Sequence, residues 1–403
     1  MKKGWERKRL GETCEVVNGG TPKTGIPEYW DGKHRWITPA EMGKRLSPYV
    51  SHTDRMISDL GLRNSSAQML PPDSVILSSR APIGHLVINT EPMATNQGCK
   101  GLIPQSQLHY KFLYYYLSSI VDLLNALGAG ATFKELSGGK LKEVPIPLPP
   151  LAEQRRIVGV LDEAFAGIAT AKANTEQNRQ NARALFESHL QSVFTQRGEG
   201  WVENKLKAIT TKIGSGATPR GGEESYKTEG ISLIRSLNVH DLGFKYAKLA
   251  FLDDKQANEL SNVEVQSSDV LLNITGASVT RCCIVPDDVL PARVNQHVSI
   301  IRPISDKLAP DFLRYLLISK PYKDQLLQTG EEGGSTRQAI TKAQIQEFTV
   351  SFPCAVKDQK AIAVKLDALS EETQRLARLY EQKLTALSAL KKSLLHQAFA
   401  GEL

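Results

Sequence analysis

The sequence predicts mixed α/β (α+β) globular domains alternating with long α-helices. The helices are expected to pair as an antiparallel coiled coil, and the whole to form an internal pseudo-twofold repeat. Three observations lead there. The 403-residue chain matches itself at an offset of about 200 residues. Each copy opens with about 150 residues holding short β-branched runs bounded by turn residues. Each copy then closes with about 45 residues without proline, in which apolar positions recur at steps of three or four.

The repeat is read first, because a missed one spoils every later inference. Trp5 and Leu10 match Trp201 and Leu206 at an offset of 196, and Thr21-Pro22 matches Thr218-Pro219 at 197. Asn96-Gln97 matches Asn295-Gln296 at 199, and Phe112-Leu113 matches Phe312-Leu313 at 200. Glu143 and Pro149 match Glu347 and Pro353 at 204. Leu161-Asp162, Ser188 and Phe194 match Leu366-Asp367, Ser393 and Phe399 at 205. The offset only grows, as small insertions in the second copy would make it. The predicted boundaries are 1–151 and 198–356 for the two globular domains, with 152–197 and 357–403 for the helices.

Within the first globule, Val75-Ile76-Leu77 and Leu86-Val87-Ile88 read as strands. Val270-Leu271-Leu272 and Val298-Ser299-Ile300-Ile301 do so in the second. Local helices are predicted over Lys111–Leu127 and Pro310–Gln328. The first copy leaves its globule through Pro145-Ile146-Pro147-Leu148-Pro149-Pro150. Prolines suit a helix start, where the N–H groups are unpaired anyway. From Ala152 to Arg197 the only glycines are Gly159 and Gly167, and Gly198 is read as the stop. The second helix runs from about Val356 to Ala400. At 1.5 Å per residue, such helices span roughly 65 Å.

The predicted seam in the second helix is Ile362, Leu366, Leu369, Thr373, Leu376, Tyr380, Leu384, Leu387, Leu390 and Leu394. In the first it is Ile157, Leu161, Phe165, Ile168, Ala171, Thr175, Asn178, Ala182 and Leu185. The polar stretch Asn174, Thr175, Gln177, Asn178, Gln180 and Asn181 either lies in that seam and fixes its register or faces solvent. Both helices end in Phe and Gly, and Gly200-Trp201 after the first repeats Gly4-Trp5. The chain reads as a circle cut at one point.

Composition bounds the function. Hydrophobic residues are 41% and charged residues 23%, as in folded proteins. No apolar run is long enough for a membrane span, and the N-terminus lacks the apolar stretch of a signal peptide. Cys14, Cys99, Cys282, Cys283 and Cys354 have no zinc or disulfide spacing, so a reducing, cytoplasmic location is expected. The net charge of +7 permits a nucleic-acid partner without demanding one.

Catalytic motifs are missing. There is no P-loop, no Asn/Asp-Pro-Pro-aromatic loop for an exocyclic amine, and no Gly-rich turn after a strand for a nucleotide. Gly128-Ala129-Gly130-Ala131 follows a predicted helix and reads as a loop. Ser137-Gly138-Gly139-Lys140 reads as a Gly-rich turn. Glu203-Asn204-Lys205 lacks the upstream acid a nuclease needs. The eight histidines show no metal spacing, so no catalytic residue, metal site or cofactor is assigned to this chain.

Binding residues are more evident. In the first copy they are Thr21, Lys23, Lys33, Arg35, Thr38, Lys44, Arg45, Ser79, Arg80, Asn96 and Gln97. In the second they are Thr218, Arg220, Arg235, Ser236, Asn238, Asn273, Thr275, Arg281, Asn295, Gln296 and His297. Arg pairs with the two acceptors of guanine and Asn or Gln with adenine, whereas Lys, Ser and Thr suit phosphates. The Asn-Gln pairs common to both copies could equally be turn or packing residues. Charge divides unevenly: net +5 over residues 1–151 and net −1 over residues 198–356.

With these residues in view, the whole chain resembles the specificity subunit of a type I restriction–modification system. The resemblance rests on the duplicated globule-plus-helix layout and on several motifs. These are Asn18-Gly19-Gly20-Thr21-Pro22, Tyr29-Trp30-Asp31-Gly32 leading to Trp36-Ile37-Thr38, Arg80-Ala81-Pro82-Ile83-Gly84 and Thr95-Asn96-Gln97-Gly98. The most specific is the exit Pro145–Pro150 running into Leu151-Ala152-Glu153-Gln154 and then Leu161-Asp162. The second copy departs at Gly216-Ala217-Thr218-Pro219 and at Cys354-Ala355-Val356-Lys357-Asp358-Gln359.

The resemblance implies two target recognition domains that read the halves of a bipartite double-stranded DNA site through the major groove. It implies helices that set a non-specific spacer and dock two modification (methyltransferase) subunits. S-adenosylmethionine would sit in those subunits, which flip out and methylate adenine, and ATP and Mg would sit in added restriction subunits. Two alternatives stand beside it: a recognition fragment of a fused methyltransferase–nuclease, and a coiled-coil adaptor with no DNA role. The missing catalytic loops oppose the first, as does the Gly401-Glu402-Leu403 end, read as that of a complete chain.

Overall fold

A computed structural model of the chain describes residues 4–129, 134–331 and 339–403. Gly130 and Ala131 of the glycine-rich segment noted above, and Met1–Lys3 at the N-terminus, lie outside the described residues. The chain divides into two compact units, Met1–Glu176 with Gln382–Leu403, and Gln177–Glu381.

The first unit is built on a five-stranded sheet in the order Cys14–Asn18, Cys99–Pro104, Val75–Ser78, Leu86–Asn89, Tyr49–Val50. Beside it lies a three-stranded sheet in the order Arg55–Ile57, Trp30–Ile37, Met93–Thr95, whose last pair is parallel. Val75, Ile76 and Leu77 are fully buried, so this central strand is a continuous apolar run that packs on both faces. Glu6–Arg9 pairs antiparallel with Pro145–Leu148. Pro149-Pro150 of the exit lead directly into the helix Leu151–Thr195 as expected, whereas Pro145 and Pro147 lie in a strand. A two-stranded ribbon tolerates them, because a proline N can face its open side.

The second unit repeats this layout. Thr210–Ser215, Val298–Pro303, Val270–Asn273 and Cys282–Ile284 form one sheet, in that order. Ala250–Leu252, Ile231–Ile234, Ala292–Val294 and Glu264–Val265 form the other, with Ile231–Ile234 parallel to Ala292–Val294. Trp201–Lys205 pairs with Thr349–Pro353. Registers agree between units: Leu77 faces Lys100 where Leu272 faces Ser299, and Ile37 faces Thr95 where Ile234 faces Val294.

Both local helices are broken. The first is Tyr110–Ser119 followed by Val121–Leu127, and the second is Pro310–Ile318 followed by Lys320–Glu331. Ser118 and Ser119 donate back to the carbonyls of Tyr114 and Tyr116 at 2.8 and 2.6 Å, which competes with the helix ladder. Pro321 is acceptable only in a helix's first turn, so a new helix must start at Lys320.

Each long helix has 45 residues, Leu151–Thr195 and Val356–Ala400. In the first unit they run antiparallel: Arg156 donates to the Leu403 carbonyl at 2.7 Å, and the Lys391 ammonium lies 4.9 Å from the Phe165 ring centroid. Ile157, Leu161, Ile168, Thr175 and Ala182 are buried as predicted, as are Leu366 and Thr373. Asn178 is exposed, and Leu185 and Leu390 are 56% and 47% exposed; Phe186, Leu190 and Leu395 are buried instead. A helix of 3.6 residues per turn drifts off a strict 3.5 repeat, so the seam moves by a residue toward the helix ends. Asn174, Gln177, Gln180 and Asn181 face solvent. Only Thr175 of that stretch is buried, and its hydroxyl donates to its own helix, to the Ala171 carbonyl at 2.6 Å.

The globule-to-helix junction is the same in both units. Gln154 is fully buried, and its side-chain oxygen accepts from the His109 N–H at 2.8 Å. Its amide donates to the carbonyls of Gln107 and Pro149 at 2.9 and 2.8 Å. Gln359 accepts from the Ala309 N–H at 2.8 Å and donates to Lys307 and Pro353, both at 2.9 Å. Two turns on, Asp162 accepts from the Tyr115 hydroxyl and the Lys111 ammonium, both at 2.6 Å. Asp367 accepts from Tyr315 at 2.6 Å and Arg314 at 2.8 Å. The Leu-Asp motif is therefore a core leucine followed by a carboxylate clamp. The ends close the same way, with Phe399 on Phe112 at 5.1 Å and Phe194 on Phe312 at 5.4 Å between ring centroids.

Candidate nucleic-acid interface

Two loop clusters at equivalent places gather most of the predicted residues. In the first unit, Asn96 follows the strand Met93–Thr95 and donates its amide to the Thr21 hydroxyl at 3.0 Å. Its side-chain oxygen accepts from the Gly98 N–H at 2.8 Å, closing a tight turn. The approach of the two loops needs a glycine: a Cβ on Gly19 would lie 2.0 Å from the Asn96 carbonyl oxygen. The same holds at Gly216, 1.7 Å from the Val294 oxygen, so this glycine persists in the second copy. Gly20 is confined by Ala67 of a first-unit loop, and its counterpart is Ala217.

Thr38, Lys44, Pro82, His85 and Asn96 line an open concavity of about 510 Å³. Arg80 borders the same turn, since a Cβ on Gly98 would meet both Arg80 Cδ and Asn96 Oδ1. Gln97 and Lys44 are exposed, and their side chains have no partner among the described residues. Thr38 also caps the helix Pro39–Met42, accepting from the Glu41 N–H.

In the second unit, Thr218 donates to the Gln296 side chain, and Gln296 meets His297 at 3.1 Å. The Thr275 hydroxyl lies 2.5 Å from His297 Nδ1. The Asn295 side chain accepts from the His297 N–H at 3.1 Å, the same turn that Asn96 makes. Arg281 is half-buried, and Arg220, like Lys23 in the first unit, is exposed with no side-chain partner among the described residues.

Other predicted residues have structural partners. Arg45 donates to Glu41 and to the His52 carbonyl, both at 2.6 Å. Arg235 donates to Glu223 at 2.8 Å and the Lys248 carbonyl at 2.7 Å, and its side chain is only 12% exposed. Asn238 is fully buried and bridges the Arg235 N–H to the Lys245 carbonyl. Asn273 is fully buried and donates to the Ser236 carbonyl at 2.9 Å. Neither asparagine presents an edge to a base in this conformation. Ser79 is buried, and its hydroxyl has no hydrogen-bond partner among the described residues.

Lys33 and Arg35 lie on the strand Trp30–Ile37 and do not line the concavity. Lys33 pairs with Asp59 at 3.0 Å. Hydrogen bonds from His34 and Lys33 hold the Asp59 carboxyl below its usual range. Ser137-Gly138-Gly139-Lys140 is a helix start, with the Ser137 hydroxyl accepting from the Lys140 N–H at 3.2 Å. Among the described residues no group of three or more His, Cys, Asp or Glu could hold a metal ion.

Sequence reasoning missed His85. Ser78 donates its N–H to the His85 carbonyl at 2.9 Å, just as Asn273 donates to Arg281 at 2.8 Å, so His85 is the counterpart of Arg281. Aligning the two copies through their strands would have found it. Glu135 and Lys100 were missed too. Glu135 pairs with Arg80 at 3.1 Å and lies 4.0 Å from Lys100.

Known proteins resemble this arrangement. A family model described as the type I restriction modification DNA specificity domain matches residues 2–178 and 198–385. The MjaIX type I restriction enzyme specificity subunit of Methanocaldococcus jannaschii is 31% identical over 275 residues, 67% of this chain and 62% of that protein. The chain thus spans less than two thirds of that relative's length. The EcoBI specificity subunit of Escherichia coli is 25% identical over 82% of this chain and 74% of its own length. A solved chain from a type I R-M system superposes with a TM-score of 0.78 at 21% identity, covering 100% of this chain and 99% of that one. The HsdS subunit of Thermoanaerobacter tengcongensis superposes with a TM-score of 0.63 at 19% identity, covering 100% and 98%. Both superpositions concern the fold. The family match covers both copies of the repeat, so this chain belongs to the type I restriction–modification DNA specificity family.

Proposed function

We propose that this chain is the non-catalytic address subunit of a cytoplasmic type I restriction–modification complex. Each unit reads one half of a bipartite double-stranded DNA site, and the paired helices set the spacer between the halves. The observation that carries this reading is the pair of equivalent loop clusters. They share the Thr–Asn/Gln tie and the Asn turn, yet they differ at positions flanking that shared scaffold. The counterpart of His85 is Arg281, and that of Gly98 is His297. A common scaffold with different tips suits two different half-sites. Losing one base contact would cost about 1–3 kcal/mol of discrimination.

Two modification subunits carrying S-adenosylmethionine would methylate adenine, and restriction subunits would bring ATP and Mg. The test is adenine methylation mapped by long-read sequencing in cells with the modification subunit, with and without this chain. A split motif that appears only with this chain supports the reading. No motif from an assembled complex would sink it and leave the adaptor alternative. Exchanging residues 1–150 for those of a relative is expected to change one half-site only, and adding about two turns to one helix to change only the spacer. A change in both half-sites would contradict the modular reading.

A further inference from the structure

The first unit holds an ionic cluster that has no counterpart among the described residues of the second. Arg80 Nε lies 3.1 Å from Glu135, and Lys100 Nζ lies 4.0 Å from the other oxygen of the same carboxylate. Lys100 is only 6% exposed, and Glu135 is its only ion-pair partner among the described residues. The Arg80 side chain is 46% exposed, and its terminal nitrogens form no hydrogen bond with the described residues. Two cations therefore share one anion, and a positive charge is left over at the rim of the loop cluster. Burial pushes the Lys100 ammonium below its usual range, Glu135 opposes that shift, and Arg80 adds to it.

The second unit is an internal control. By strand register and by the bridges Arg80–Glu135 and Thr275–Ala339, the counterparts of Arg80, Lys100 and Glu135 are Thr275, Ser299 and Ala339. The backbone there is the same: Leu136 donates to the Ser79 carbonyl and Ile340 to the Ile274 carbonyl, both at 2.8 Å. The scaffold forms without the three charges, so the fold does not require a buried lysine whose desolvation costs stability. The uneven charge of the two globules, +5 against −1, points the same way.

We infer that Arg80, backed by Lys100 and oriented by Glu135, is a DNA-phosphate site peculiar to the first unit, which makes that unit the electrostatic anchor of the complex. An anion is the ligand that neutralises the surplus charge, and a phosphate accepts from the free end of a guanidinium. Arg80 makes the contact, and Glu135 and Lys100 are positioning residues. The inference rests on the DNA-reading function proposed above.

The test uses the chain assembled with its modification subunits and a duplex carrying the methylated motif. Binding is measured by fluorescence anisotropy from 50 to 200 mM salt. The triple variant Arg80→Thr, Lys100→Ser, Glu135→Ala installs the second unit's residues. Loss of one phosphate contact should flatten the slope of log K against log salt by about 0.9. The binding defect should therefore shrink roughly threefold between those salt concentrations. The methylated motif should stay the same, because a phosphate carries no sequence. An unchanged slope overturns the proposal, and so does a changed base in the first half-site, which would make Arg80 a base reader. Should the triple variant fail to fold, Arg80→Gln alone alters one exposed side chain and tests the same slope. Absence of any motif with the wild-type complex would be a failure of the proposed function, and is visible before any variant is compared.

Discussion

Replacing Gln359 with leucine should destabilise the second unit by about 3–5 kcal/mol, the cost of leaving two buried backbone groups and a half-buried one without their partner. Leucine fills nearly the same volume, so the loss would not come from a cavity. The Ala309 N–H and the Pro353 carbonyl are held in buried hydrogen bonds to a fully buried side chain, whereas the bond to the Lys307 carbonyl is only half-buried. Urea unfolding followed by circular dichroism measures this as a lower midpoint with an unchanged slope. Gln154→Leu should do the same to the first unit through His109, Gln107 and Pro149. A shift worth less than about 1 kcal/mol, the net value of an ordinary hydrogen bond, would show that the junction relaxes and that the amide is no clamp.

Phe194→Ala should cost about 3–5 kcal/mol, as other buried phenylalanine truncations do. Phe194 is 2% exposed and meets the rings of Phe312 at 5.4 Å and of Trp201 and Tyr322 at 6.4 Å. Edge-to-face pairs add to simple burial, so the loss exceeds the transfer term alone. Near-ultraviolet dichroism reports it twice, through the unfolding midpoint and through the Trp201 signal in the native state. Phe399→Ala should cost less, since Phe399 is only half-buried against Phe112 and Tyr116. Equal losses at the two positions would mean that ring contacts do not set the difference.

Much of the fold was legible because it was written twice. The offsets that matched Leu161-Asp162 to Leu366-Asp367 also matched the geometry, down to the tyrosines that clamp each carboxylate. The exit motif looked degenerate in the second copy, yet its glutamine survives as Gln359, the residue that makes the contacts. Less was legible where a tertiary contact overrides a local pattern. Leu185 and Leu390 fit a heptad and face water, because the stripe drifts along a long helix. Asn238 and Asn273 are residue types that read bases, but inside a sheet-rich unit they satisfy backbone groups instead. Composition does not separate these uses of an amide. His85 and Glu135 were invisible for the opposite reason: His85 shows itself only by its correspondence to Arg281 in the other copy, and Glu135 only by its pairing with Arg80 and Lys100.

The division of the chain also has a consequence for the order in which the protein matures on the ribosome. The second unit is one continuous stretch, Gln177–Glu381, whereas the first needs Gln382–Leu403 to cover Phe112 and Tyr116. The half that is made first is therefore finished last. During translation the first unit must wait through more than 200 residues of synthesis with part of its apolar face open, at roughly 5–20 residues per second. That is an interval of tens of seconds in which a chaperone or an early partner can act. Limited proteolysis of stalled nascent chains would show protection of the second unit first; simultaneous protection of both would contradict this order.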